Sequence, residues 1–551
     1  MSAPGDRFSS WLEHQPKARR FLIVLMLAYF TVNALIAAWT HTPTVDEFVQ
    51  VPMGLYHLRT GKFDLDRRNP PLIKMMTATP VWLSGARLNT DPQWRGNGEG
   101  WWMWIFGTRF MRDNEANYFS LFFLARLVVI LLGLAGGLCL YAWARQWYGA
   151  GAALGTLLLY ATCPNLLGHA SLATLDIGVT VFVFGGFFVL HQFSQSLRKK
   201  WAVLSGILFG AALASKFTAL FFLPLVPLLL AIERRPQNRK AWLAWAGSLG
   251  WITLSAWLVV NAAYFFHGFP LPSEFMDGIK LKTLDRVRAE SPAFFLGLWS
   301  NSGWWCYYPI AFLLKSTIPF LLLISAGIFG FLDRKKNAMF MAWIAWIVLP
   351  PLWLFYLLFA HFKIDFGIRY LLPALPFLML VAGNGIRTLL GSRRMEVVLL
   401  VLLSWQLLTS LLHAPDHLAY FNESVGGPDR ARRLLLDSNL DWGQDLGRLK
   451  PYMDEHGIGR IRLGYFGHTD PKLYGISYDF PPPTPEPGIY AISANYLAGY
   501  PHAVTYAGDS LVQEVPAGAW IWLDEHKPIA RVGSSIYIFK IEPKDLLKSP
   551  R

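Results

Sequence analysis

The chain has 551 residues, 54% hydrophobic and 16% charged, with a mean hydropathy of +0.32. Soluble domains usually carry about a quarter charged residues, so a string of soluble domains and a disordered chain are both excluded for the bulk of the sequence. Its formal charge is +14, which suggests a polyanionic partner on a soluble protein but cytoplasmic loops on a membrane one.

Apolar runs dominate residues 21–412. A hydrocarbon span needs about 20 apolar residues. The predicted spans, in chain order, lie near 21–40, 120–143, 150–168, 175–194, 201–217, 219–232, 241–265, 310–332, 338–359, 369–386 and 395–412, about eleven in all. The pieces at 201–217 and 219–232 are short and suit tilted or bundle-interior helices. The first run follows Lys17, Arg19 and Arg20 and reads as an uncleaved span rather than a signal peptide.

Lysine and arginine placement sets the orientation. One set of termini and loops carries 18 basic and five acidic residues and alternates correctly with eleven spans, so it is assigned to the cytoplasm. The opposite face then holds loops 41–119 and 266–309 and the tail 413–551, none with more than one net positive charge. In a bacterium that face is the periplasm. The tail reads as a small α/β domain, with a helix over 430–455 and strands at Arg460–Phe466, Gly488–Ser493, Trp520–Leu523 and Ser535–Ile541.

Ionisable groups in or beside spans are functional candidates, because each costs energy unless paired or wet. Arg126, Asp176, Lys216, Lys315, Lys363, Asp365 and Arg369 remain once the loops are set aside. Asp46-Glu47 reads either as the acidic first turn of a helix or as a general base beside an acceptor hydroxyl. Asp176 is either a helix-start carboxylate or a ligand for sugar hydroxyls or a metal. Lys216 either snorkels to the interface or neutralises a lipid phosphate. Arg369 suits bidentate phosphate contact. Arg67, Arg68 and Lys74 flank the rigid Pro70-Pro71 turn and can meet a headgroup or pyrophosphate. There is no HExxH, P-loop, GxGxxG or Gly-x-Ser-x-Gly, and the three cysteines form no CxxC.

Several of these elements resemble the GT-C superfamily of membrane glycosyltransferases, and within it the bacterial phospholipid-carrier-dependent branch. That branch is related to dolichyl-phosphate-mannose–protein mannosyltransferases and to the lipid A aminoarabinose transferases. The resemblance rests on Asp46-Glu47, Asn69–Leu72 (NPPL), Leu175-Asp176, Ser215-Lys216 and Arg369–Pro373 (RYLLP). In the tail it rests on Tyr420–Glu423, Gly426–Pro428, Asp437–Leu446 (DSNLDWGQDL) and Ala530–Ile536. Two departures are visible. Trp304-Trp305 is followed by Cys306 where oligosaccharyltransferases have aspartate, and Asn69 stands where aminoarabinose enzymes have lysine.

The resemblance implies a polytopic α-helical GT-C domain over 1–412, interfacial helices in both outer loops, and a C-terminal periplasmic α/β domain over 413–551. It implies a multi-pass protein of the bacterial inner membrane that moves a sugar, with inversion, from a polyprenyl-phosphate donor to a protein, lipid or glycan hydroxyl. Asp46 would act as base, with Glu47 beside it, Glu47 being read as structural more than catalytic. Lys216, Arg369, Arg67 and Arg68 would meet the donor phosphate, and Asp176 would bind sugar hydroxyls. No cofactor is required, a divalent metal on Asp46 and Asp176 being optional. The alternative is a lipid-linked sugar flippase or other transporter; no nucleic-acid partner is implied.

Overall fold

The computed structural model describes residues 7–90, 102–233, 238–288, 293–332, 338–361, 365–506 and 512–546. Lys363, one of the boundary charges, lies outside them. Seven described helices are long and apolar enough to cross a membrane: Pro16–Thr40, Glu115–Tyr148, Asp176–Ser196, Trp242–Ala263, Met339–Phe359, Ile368–Leu389 and Arg393–Leu412. Two further apolar runs are bent pairs. Ala150–Ala161 meets Pro164–Ala170 at 56°, and Tyr307–Lys315 meets Ile318–Phe331 at 113°. The short pieces at 201–217 and 219–232 become the 15-residue helix Lys199–Leu213 and the apolar stretch Phe217–Glu233. Each of the eleven apolar runs is thus largely helical, but only seven are long single helices.

Small residues let these helices approach closely, as bundles in lipid require. A Cβ on Gly206 or Gly210 would lie under 3 Å from the backbone of Ile252 or Ala256 on the neighbouring span. Gly136 and Gly137 likewise receive Tyr160, whose hydroxyl donates to Gly133 O at 2.6 Å. The outward faces keep large apolar side chains exposed, among them Phe21, Val24, Leu400 and Val401.

The described residues of loop 41–119 include the α-helices Val45–Thr60, Leu72–Leu83 and Trp102–Asp113. Loop 266–309 forms the helix Ser273–Arg288 and a hairpin pairing Ala293–Phe295 with Leu298–Ser300. The hairpin is joined to the tail: Leu296 N–H donates to Leu434 O at 2.9 Å, and Trp299 Nε1 donates to Ala498 O at 2.7 Å.

The tail carries a five-stranded mixed sheet, in the order Tyr478–Asp479, Ile461–Gly464, Gly488–Ser493, Ile536–Ile541, Ala530–Val532. The first three strands run parallel and the rest pair antiparallel. Two expectations are corrected here. Residues 430–455 are not one helix: only Pro428–Ala431 and Leu449–Glu455 are α-helical. The polar stretch between them is drawn against the helical body, where its side chains bond to other segments instead of lining a helix. Trp520–Leu523 is not a strand either. Trp520 is buried against Phe480 and Tyr496, and the chain turns there into the 3-10 helix Ile521–Glu525.

Candidate active site

The site begins with a helix cap. Thr44 precedes the Val45–Thr60 helix, and Glu47, its third residue, closes a capping box on it. Glu47 is fully buried. Its carboxylate accepts from Thr44 N at 2.9 Å, Arg126 Nε at 2.7 Å, Arg126 Nη2 at 2.8 Å and Ala173 N at 2.7 Å. Burial raises its pKa, but the Arg126 guanidinium and these donors outweigh it and hold the carboxyl below its ordinary value. Arg126 is consumed as completely. Its remaining N–H groups donate to Ala38 O, His41 O and Thr42 O at 2.7, 2.8 and 3.2 Å. Glu47 and Arg126 therefore form a bracket that ties the end of the first span to the second and to the Ala173–Asp176 turn.

With Glu47 turned inward, Asp46 points elsewhere. Its Oδ2 accepts from Arg369 Nη1 at 2.6 Å and from Gln50 Nε2 at 3.3 Å, and its side chain stays 29% exposed. A second pair lies alongside: Lys216 Nζ donates to Asp176 Oδ1 at 2.6 Å, both residues being buried. Tyr370 links the pairs, because it follows Arg369 in the chain and its ring centroid lies 4.5 Å from Lys216 Nζ. Asp176 also lies within electrostatic range of Arg369 and His169. Four residues distant in sequence thus converge. Asp46 and Asp176 each face a cation at 2.6 Å, so their negative charge is already balanced by side chains of this chain.

The Asn69–Leu72 turn abuts this cluster through Leu72 N–H, which donates to Ala214 O at 2.9 Å. Lys74 is fully buried and points away, donating to Asp66 Oδ2 at 2.5 Å and Asn69 O at 2.7 Å. Arg67 pairs with Asp277 of the Ser273–Arg288 helix at 3.2 Å, both side chains about a third exposed, and Arg68 is exposed. The ion-pair partner of Arg67 is thus Asp277 rather than one of the paired charges.

The tail completes the arrangement. Trp442 O accepts from Val45 N at 3.2 Å, and Gln444 O from Thr42 N at 2.9 Å, on either side of Thr44. The Trp442 ring carries the Arg369 guanidinium at 4.6 Å. Phe366 O accepts from Arg369 Nε at 3.1 Å and from Ser438 Oγ at 2.8 Å. Asn439 Oδ1 accepts from Ile368 N at 2.9 Å. Lys315, fully buried, donates to Asn439 O at 2.5 Å and Leu418 O at 2.9 Å. Burial raises the Asp437 carboxyl to about 6, with Arg369 opposing the rise and Asp46 adding to it. Asp365, also raised by burial to about 6, accepts from Trp304 N at 2.7 Å.

Sequence reasoning gave no role to Tyr370, His169, Lys315, Asp437 or Trp442. Lys315 was visible as a charge inside an apolar run, and Asp437 and Trp442 as part of the DSNLDWGQDL signature. Nothing in the chain order placed Asp437 and Trp442 around Arg369.

A cavity of about 510 Å³ opens on the far side of Arg126, lined by Trp39, Phe119, Phe123, Arg448 and Tyr474 among others; the paired charges do not line it. Among the described residues, the cluster with metal-ligand chemistry is His41, Asp416 and Asp445. Arg448 already supplies a cation there, 2.7 Å from Asp416 and 3.7 Å from Asp445.

Residues 118–259 match the family described as dolichyl-phosphate-mannose-protein mannosyltransferase. No curated protein sequence matches the chain. Among solved structures, ArnT from Cupriavidus metallidurans in the apo state aligns at 17% identity and a TM-score of 0.47, over 70% of this chain and 63% of that one, so this chain spans under two thirds of that relative's length. The same protein bound to undecaprenyl phosphate aligns at 13% identity and a TM-score of 0.49, over 96% and 99%. The S. cerevisiae protein O-mannosyltransferase Pmt1-Pmt2 complex bound to the sugar donor aligns at 19% identity and a TM-score of 0.35, over 45% and 34%. The family match falls on the stretch that carries Arg126, Asp176 and Lys216.

Proposed function

We propose that the chain is an inverting glycosyltransferase that moves a sugar from a polyprenyl-phosphate donor to an acceptor hydroxyl, at the periplasmic face of a bacterial inner membrane. The observation that carries the reading is the adjacency of two carboxylate–cation pairs, Asp46–Arg369 and Asp176–Lys216, within a chain whose membrane segments match the mannosyltransferase family. The orientation rests on the excess of lysine and arginine in the opposite loops.

In this reading the lipid tail of the donor lies along the apolar helices and its phosphate enters between Lys216 and Arg369. Those cations meet the charge that develops on the leaving phosphate. Asp176, released from Lys216 by the incoming phosphate, accepts hydrogen bonds from the sugar. Asp46 takes the proton of the acceptor hydroxyl as its oxygen attacks the anomeric carbon from the face opposite the phosphate. One C–O bond forms, the bond to the phosphate oxygen breaks, and the products are the glycosylated acceptor and a polyprenyl phosphate. Glu47 holds Asp46 in place and takes no proton. Arg67 and Arg68 guide the anionic donor inward. The reaction as written needs no metal.

The test is transfer of radiolabelled hexose from polyprenyl phosphate to a detergent extract of membranes, with no sealed vesicles present. A glycosyltransferase works there. A flippase has no compartment across which to act, so lack of transfer by well-folded protein would favour the transporter reading.

A further inference from the structure

The tail reaches the Asp46–Arg369 pair through the segment Asp437–Leu446, and most polar side chains of that segment are spent on holding it there. Ser438 donates to Phe366 O. Asn439 receives Ile368 N–H and donates to the Tyr307 hydroxyl at 2.9 Å. Asp441 accepts from Gly443 N at 3.2 Å. Gln444 accepts from Trp442 N at 2.8 Å and donates to Leu440 O at 2.9 Å. Asp445 accepts from Ser534 N, Ser535 N and Ser535 Oγ at 2.8, 3.0 and 2.8 Å.

Asp437 differs. Its backbone N–H donates to Asn495 Oδ1 at 3.0 Å, and its φ is +55°. A non-glycine residue in the left-handed region is uncommon, aspartate and asparagine being the types that tolerate it best, and such residues cluster at functional sites. Its carboxylate is half-buried and accepts only from the adjacent Ser438 N–H among the described residues. The charged and titratable groups facing it are Arg369 and Asp46 from the helical body, Tyr307 from the Tyr307–Lys315 helix, and Tyr500 from the tail. Arg369 is already held at 2.6 Å by Asp46. Asp437 is thus a second carboxylate on the tail side of the same guanidinium, with no ion pair of its own at contact distance among the described residues. A carboxylate repels the donor phosphate. It suits a hydroxyl group, which donates a hydrogen bond to it.

We propose that Asp437 binds the acceptor: its carboxylate receives a hydrogen bond from a hydroxyl of the incoming acceptor and presents that molecule to Asp46. The tail then contributes a side chain to the site and selects the substrate that receives the sugar. The assignment rests on the glycosyl-transfer reading above. It also predicts a pH dependence. The carboxyl titrates at about 6, so acceptor binding weakens as pH falls through that value and the group loses its charge.

The experiment uses the full chain in detergent, a radiolabelled polyprenyl-phosphate hexose, and a membrane extract from cells lacking the gene as the source of acceptor. Asp437→Asn removes the charge and keeps a residue type that tolerates φ of +55°, so the fold is spared. At a pH above the transition, the variant is expected to need about tenfold more extract for half-maximal rate, the loss of one charge-assisted hydrogen bond. Its affinity for undecaprenyl phosphate stays unchanged, and the acid-side rise in half-saturation near pH 6 disappears. An unchanged half-saturation would overturn the assignment, as would a matching loss of undecaprenyl-phosphate affinity, which would make Asp437 a support of the donor site. Absence of transfer by the unsubstituted protein would instead overturn the glycosyl-transfer reading, and this assignment with it.

Discussion

Arg369 holds Asp46 by a 2.6 Å contact between Nη1 and Oδ2, although 323 residues separate them in sequence. The same guanidinium lies over the Trp442 ring and donates through Nε to Phe366 O. Arg369 is therefore fixed on three sides, and the carboxylate it holds is the one left partly open to solvent. A base already aligned by a rigid cation needs little reorganisation when the acceptor arrives.

Asp46→Asn keeps the shape of the side chain and removes its ability to take a proton. Transfer is expected to fall on the order of 10²-fold or more, as for loss of a general base. Undecaprenyl-phosphate affinity is expected to survive, and single-turnover transfer alongside equilibrium binding separates the two. Near-normal turnover would remove Asp46 from the base role.

Lys216→Ala frees Asp176 and removes one of the two cations proposed for the phosphate. Undecaprenyl phosphate should bind about tenfold more weakly, the scale of one charge-assisted contact. Unchanged affinity and rate would make Lys216 only the structural partner of Asp176.

Glu47→Gln tests the bracket rather than the chemistry. Arg126 keeps its three carbonyl partners but loses its counter-ion in a fully buried place. Breaking a buried pair from one side costs roughly 3–5 kcal/mol. The expected result is a large drop in thermal stability in detergent, with activity lost in proportion to folded protein. A stable but inactive variant would point to direct chemistry by Glu47.

Gly367→Ala tests the junction between tail and membrane body. Gly367 has φ of +92°, and a Cβ there would lie 2.5 Å from Ser438 Oγ. The substitution must push back the Asp437–Asn439 turn or move Arg369. A penalty of about 1–3 kcal/mol is expected from the backbone alone. Transfer should fall further than folded yield, because the clash bears on the site; equal losses would mean the junction only stabilises the fold.

Much of the architecture was legible in the sequence. The apolar runs become helices because backbone groups in lipid must be satisfied within their own segment. Asp46, Asp176, Lys216 and Arg369 stood out because charges beside spans are costly. The 430–455 region was misread because its composition tolerates a helix. Nothing local announced that Ser438, Asn439 and Asp445 would find partners on other segments.

By itself, the sequence determined the helical membrane body, its orientation signal and a short set of boundary charges. All of these follow from local composition and the energy of transfer into lipid. Only the tertiary structure decided which charge met which. It sent Glu47 inward to Arg126 and left Asp46 to Arg369, although the two acids are adjacent. It also brought Asp437 and Trp442 from the tail to the same guanidinium. Those choices depend on where long-range packing places each partner, and a buried charge takes the partner that packing brings within reach.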